Sequence, residues 1–193
     1  MRQHLFRMHE AVLRSAPIRP GDRILYVGSH SAALSAVMAD RLASTGELVG
    51  VDFTFATLHR AERLLEQSER KNMLFLRLAQ PAIPFADDYF DLVIAFGAFE
   101  TLPQGEQVLA ELYRVVRPEG KVYWHDVSTG LEGFREKLVQ LLCLGRRPTR
   151  AQRALADLRQ KMAAFFAIEF SRRWTHTWGK QSCLLVGKKP SEA

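Results

Sequence analysis

The spacing of apolar residues switches repeatedly between the helical and the strand period. Leu5, Met8, Val12 and Leu13 recur at helical intervals across residues 4–13, and Ile18–Gly21 (IRPG) breaks the pattern. Arg23–Gly28 (RILYVG) reads as a short apolar strand. Ser31–Leu42 is small, apolar and helical, and Gly46 is expected to end it. Leu48–Val51 reads as a second strand closed by Asp52, Phe55–Ser68 as an amphipathic helix, and Met73–Leu78 as a third strand. Phe90–Phe96 (FDLVIAF) is uninterrupted and apolar, the pattern of a strand buried on both faces. Glu106–Val116 is helical, Arg117–Gly120 (RPEG) is expected to turn the chain, and Lys121–Trp124 is a fifth strand. Gly130–Leu144 and Thr149–Phe166 read as helices, and Ile168–Trp174 with Ser182–Gly187 as a closing antiparallel pair.

Strands alternating with helices build βαβ units, whose right-handed crossovers give a parallel sheet. The expected fold is therefore α/β: a Rossmann-like, mostly parallel sheet flanked by helices, with an antiparallel strand pair at the C-terminus. In such sheets ligands bind beyond the carboxyl ends of the strands, where the strand order reverses. That rule gathers one candidate site from five separate segments: Gly28–Ala32, Asp52–Phe53, Leu78–Gln80, Phe96–Glu100 and His125–Ser128. In the first of them only Gly28 is present, where nucleotide-binding turns usually carry two or three glycines. The backbone amides of Gly28–Ser31, at a helix N-terminus, still suit an anionic group.

Composition narrows the class. The 193 residues are enough for one domain with a sizeable core, and 47% apolar with 25% charged residues is the usual globular mix. No apolar run approaches the roughly 20 residues that span a bilayer. The opening MRQHLFRMHE lacks the apolar stretch of a signal peptide, so a cytoplasmic protein is expected. Cys143 and Cys183 are too few for a disulfide scaffold and match no zinc spacing; His4, His9, His59 and His176 show no ligand spacing, and no metal is expected.

The net charge of +6 is concentrated. Eight basic residues (Arg146, Arg147, Arg150, Arg153, Arg159, Lys161, Arg172 and Arg173) are opposed within residues 146–173 only by Asp157 and Glu169, a local excess of six. Such a run is either a solvated helix face or a contact for an acidic partner, an acidic substrate or a membrane surface. Aromatic interleaving is thin there, which disfavours nucleic acid.

Three stretches carry a family likeness in order and spacing: ILYVGSHSAAL followed by LVGVDFT, then IPFADDYFDLVIAFGAFETLP, then VLAELYRVVRPEGKVYWHDVS. Together they resemble a class I S-adenosylmethionine-dependent methyltransferase of the small-molecule, type 11 group. The likeness runs from about Ile18 to Ser128 and resumes at Cys183–Pro190 (CLLVGKKP); its most specific parts are PF-x-D-x-x-FD and YRVxRPxGKV. It implies one domain over residues 1–193: an N-terminal helix (1–17), a cofactor-type core (18–128), a helical cover (129–167) and closing strands (168–190).

The resemblance also assigns roles. Gly28 matches the first glycine of the cofactor loop, and Asp52 the acid that accepts the ribose hydroxyls. Tyr26 stands where relatives have an acid for the methionine part, His30 and Ala32 replace the second and third glycines, and Ala79 replaces an acid near the adenine, with Gln80 beside it. The implied cofactor contacts are Gly28, Ser29, His30, Asp52, Phe53, Ala79, Gln80 and Phe96; the pair Phe99–Glu100 would face the reacting methyl group. His125 and Glu100 are the acid–base candidates by position, although methyl transfer asks mostly for positioning. Phe134, Leu138, Leu141, Phe165 and Phe166 are expected to cover the substrate. Two functions lead, ahead of a third in which the cleft binds another nucleotide or performs a non-methyl reaction. One is methyl transfer from S-adenosylmethionine to a small or lipophilic acceptor. The other is an inactive methyltransferase-like fold that serves as a binding or assembly module, favoured by the departures at Tyr26, His30 and Ala79.

Overall fold

The computed structural model describes residues 12–28, 32–53, 70–96, 105–128, 150–175 and 181–191. They form one seven-stranded sheet: β1 (Arg23–Val27), β2 (Glu47–Asp52), β3 (Met73–Arg77), β4 (Phe90–Phe96), β5 (Val116–Ser128), β6 (Ala167–Thr175) and β7 (Gln181–Lys188). The order across the sheet is β3, β2, β1, β4, β5, β7, β6. The first five strands are parallel, and β7 runs antiparallel to both β5 and β6. The helices are α1 (Ala32–Leu42), α2 (Gly105–Val115) and α3 (Arg150–Ala163), with a helical segment at 12–15. This is the α/β sheet that the periodicity implies.

Strand parity builds two cores, because alternate side chains leave opposite faces. Leu25, Val27, Val49, Val51, Val93, Ala95, Val122 and Trp124 face one way and bury Val108, Leu109, Leu112 and Val115 of α2 with Leu158 and Met162 of α3. Ile24, Tyr26, Leu48, Leu92, Ile94, Phe96 and Tyr123 face the other way, onto Val12 and Leu13 and onto Leu34, Met38 and Leu42 of α1. Because β1 and β4 lie inside the sheet, both faces are covered, which explains the apolar runs Ile24–Val27 and Leu92–Phe96.

Two turns differ from the sequence expectation. Arg117–Gly120 is a bulge inside β5, not a break before it: Phe90 pairs with Val116 and Leu92 with Lys121. The left-handed residue is Glu119 (φ +66°), while Gly120 is needed for space, since a Cβ there would lie 2.7 Å from Val116 Cγ2 and 2.8 Å from Arg117 O. Similarly, Ala43 (φ +56°) takes the left-handed position after α1; at Gly46 a Cβ would lie 2.7 Å from Asp22 O. Cys183 is a buried thiol on β7. Among the described residues no helix is long and apolar enough to cross a membrane.

Candidate functional site

Strand order reverses between β1 and β4, so the topology places the crevice at the carboxyl ends of these two strands. Gly28 follows β1 with φ +77°, a conformation that costs glycine little, and its N–H donates to Val51 O at 2.9 Å. That bond holds the turn against the last residues of β2, where Asp52 is only 7% exposed. Leu78 N–H donates to Asp52 O at 2.9 Å and fixes the exit of β3 beside the same acid. Phe53 packs against the core below the crevice, whereas Ala79 and Gln80 are exposed at its outer side.

On the far side, Phe96 ends β4 and is buried. Its ring meets Tyr26 edge-on at a centroid distance of 5.7 Å and His125 at 5.6 Å. Register explains the row: Tyr26 pairs with Ile94 across β1 and β4, and Phe96 with His125 across β4 and β5, all on the α1 face. Tyr26 is wholly buried and His125 is 2% exposed. Of the two acid–base candidates, His125 therefore sits within β5 and against an aromatic ring, since the strand runs on to Ser128. Glu100 lies outside the described residues, as do Ser29, His30, Phe99, Phe134, Leu138, Leu141, Arg146 and Arg147. Phe165 and Phe166 do not cover this crevice. They pack on Tyr113 of α2 at 6.0 and 5.6 Å, because α3 lies over β7 on the other face of the sheet.

A second constellation, which the periodicity did not reveal, lies at the opposite edge of the sheet, where the parallel strands begin. Arg114 of α2 donates to Glu111 through Nε and Nη2 at 2.8 Å each, to Asp87 at 2.7 Å, and to the carbonyls of Ile83 and Phe85 at 2.8 Å. Glu111 also accepts from Ile83 N–H at 2.8 Å. Hydrogen bonds from Arg114 hold the Glu111 carboxyl below the usual carboxylate range, and Glu111 with Asp87 raises Arg114 in turn. Lys189, buried, donates to Asp88 at 2.6 Å and to the carbonyls of Tyr113 and Val116 at 2.9 Å. Asp91 accepts from Arg23 N–H at 2.8 Å and from Arg117 at 2.6 Å, joining β1, β4 and β5. The sequence signals were the i, i+3 pair in ELYRV and the lysines of GKKP.

A family model described as a methyltransferase domain matches residues 25–124. Demethylmenaquinone methyltransferase of Geobacillus sp. (strain WCH70) is 32% identical over 137 residues, covering 70% of this chain and 58% of that protein. The chain spans between about half and three-fifths of the length of such curated relatives. Among solved structures, a SAM-dependent methyltransferase from Aquifex aeolicus aligns with TM-score 0.68 at 16% identity, covering 92% of this chain and 88% of its own. The [4+2]-cyclase SpnF aligns with TM-score 0.74 at 15% identity, covering 96% and 81%. At such identities the structural likeness shows the fold alone.

Proposed function

Since the chain belongs to the class I S-adenosylmethionine-dependent methyltransferases of the type 11 group, we propose that it transfers a methyl group from S-adenosylmethionine to a small or lipophilic acceptor, and does so in the cytoplasm. The observation that carries this reading is the Gly28–Asp52 arrangement: a left-handed glycine held to the end of β2, next to a nearly buried carboxylate at the sheet's crossover point. A carboxylate there can accept both hydroxyls of a ribose, and charge-assisted hydrogen bonds of that kind contribute about 1.5–3 kcal/mol each.

These residues fit the nucleoside half of the cofactor. Gly28 lets the backbone approach, Asp52 accepts the ribose, and Phe53 and Phe96 supply apolar walls near the crevice. Tyr26 supplies no carboxylate and is buried against Phe96, so the amino-acid half must be held by other groups. When bound, the cofactor supplies an already activated methyl on a sulfonium; the chain's task is to position and shield it. No acid–base pair is required for that, which is consistent with a buried His125.

The acceptor class to test first is a demethylated quinol, because the similar Geobacillus protein is named for such an acceptor. Incubating the chain with S-adenosylmethionine labelled in the methyl group and a demethylated naphthoquinol should move label into the organic phase. Label retained wholly on the cofactor, for this and for a panel of phenolic and lipophilic acceptors, would falsify the activity. The alternative of a fold kept only for binding is not adopted: the two features that first suggested it and are described, Tyr26 and Ala79, leave the ribose end of the crevice in place.

A further inference from the structure

Charge is sparse among the described residues of the crevice. At the carboxyl ends of β1 to β4, Asp52 is the one carboxylate described and Arg77 the one cation. Arg77 is exposed and pairs with Asp52 across β2 and β3, on the strand farther from the crossover point. Beyond it, Leu78, Ala79 and Gln80 at the exit of β3 carry no charge. Inward the side chains are aromatic. Tyr26 is wholly buried, Phe96 is 4% exposed, and their rings meet edge-on at 5.7 Å.

The demethylated cofactor, S-adenosylhomocysteine, has two unlike halves. The nucleoside half is neutral: a base, a ribose diol and a thioether. The amino-acid half is a zwitterion, and a charge taken out of water is costly unless a partner meets it. The diol has such a partner in Asp52. A carboxylate offers about four acceptor sites, so Asp52 can take both hydroxyls and keep a bond within the chain. The ammonium needs an acid on the inner side, where Tyr26 offers a phenol. Groups that hold the amino-acid half therefore offset its lost hydration and the torsional freedom of its tail, and add little net affinity. A thioether that carries only a methyl group has neither cost, and sulfur packs well beside an aromatic ring such as Phe96.

We infer that the crevice recognises its ligand through the ribose diol, and so takes neutral 5′-thioether ribonucleosides, such as 5′-methylthioadenosine, nearly as tightly as S-adenosylhomocysteine. The inference rests on the proposal that this crevice holds the cofactor. Such a nucleoside fills the site without bringing a transferable methyl group, and thus competes with the cofactor. The test is calorimetric titration of the full chain with each of the two ligands. Their dissociation constants should agree within about tenfold, whereas an ammonium and a carboxylate each held by a charged partner would separate them by about a hundredfold or more. 5′-Methylthio-2′-deoxyadenosine, which lacks one hydroxyl, should bind the unaltered chain at least about tenfold more weakly than the ribonucleoside. Asp52→Asn should weaken both ribonucleosides by the same factor, with thermal unfolding to check that the variant folds; the deoxynucleoside comparison needs no variant. A gap between the two ribonucleosides wider than that tolerance overturns the inference and leaves the cofactor proposal standing. So does a deoxynucleoside that binds as tightly as its ribonucleoside, or an Asp52→Asn variant that weakens S-adenosylhomocysteine alone. Absence of binding by both ribonucleosides overturns the inference and the cofactor proposal together.

Discussion

The two ends of the parallel sheet have different relations to the family pattern. Where the strands begin, family-like residues bond to one another: Glu111, Arg114, Asp87, Asp88 and Lys189 clip the segment before β4 to the end of α2 and to the C-terminal tail. Where the strands end, Gly28 and Asp52 match the family pattern, whereas Tyr26 and Ala79 stand where the resemblance implies acids. The difference teaches that the stretches most specific for the family, PF-x-D-x-x-FD and YRVxRPxGKV, are a structural clamp. Their side chains bond across the start of β4, the end of α2 and the C-terminal tail. The other end combines residues of the crevice, such as Gly28 and Asp52, with a buried position, Tyr26, that the core also constrains.

The largest effects should be losses of stability, one at each end. Arg114→Ala strands Glu111 and two backbone carbonyls and should cost about 3 kcal/mol in denaturant unfolding. A loss below about 1 kcal/mol would mean that the clamp is decorative. Tyr26→Asp places a carboxylate in a wholly buried site beside Phe96, and should cost a similar amount, about 3 kcal/mol, by cavity and desolvation. Restored cofactor affinity at unchanged stability would show instead that the position opens to the crevice.

Gly120→Ala should come next, at about 2 kcal/mol, because its Cβ would meet Val116 and two backbone carbonyls; a neutral result would deny that the bulge is tightly packed. The smallest effect is in pH. The Glu111 carboxyl is depressed in the folded state, so its contribution is full above its unfolded value near 4.5 and is lost as pH falls through the folded value. Glu111→Gln should therefore flatten the acid limb of the stability curve below about pH 5. An unchanged limb in that variant would assign the acid sensitivity to other carboxylates.

How much of this was legible in the sequence follows from where each signal lies. FDLVIAF announced β4 residue for residue, since burial on both faces favours apolar residues throughout apart from Asp91 near its start. Asp52 and Gly28 were legible by position. The bulge in β5 was not, because its pairing depends on the distant tail: Glu119 N–H donates to Lys189 O, and Lys189 N–H to Gly120 O, each at 3.0 Å. A proline and a glycine in RPEG looked like an interruption, and only the returning strand makes them part of one. Tyr26 could be placed near the cofactor loop, but not on the α1 face against Phe96 and Leu34 without the register between β1 and β4. Phe165 and Phe166 were apolar in either role, as cover or as core, and the position of α3 over β7 decided for core.

The central claim is that the far end of the sheet still holds the cofactor through Asp52, independently of the clamp. Calorimetric titration with S-adenosylhomocysteine, the demethylated cofactor, tests it directly on the unaltered chain and on Asp52→Ala. The account predicts binding at about micromolar affinity for the former and a loss of about ten- to a hundredfold for the latter, with unfolding midpoints that agree within about 1 kcal/mol. Absence of heat at millimolar ligand, or equal affinity in both proteins, would contradict it.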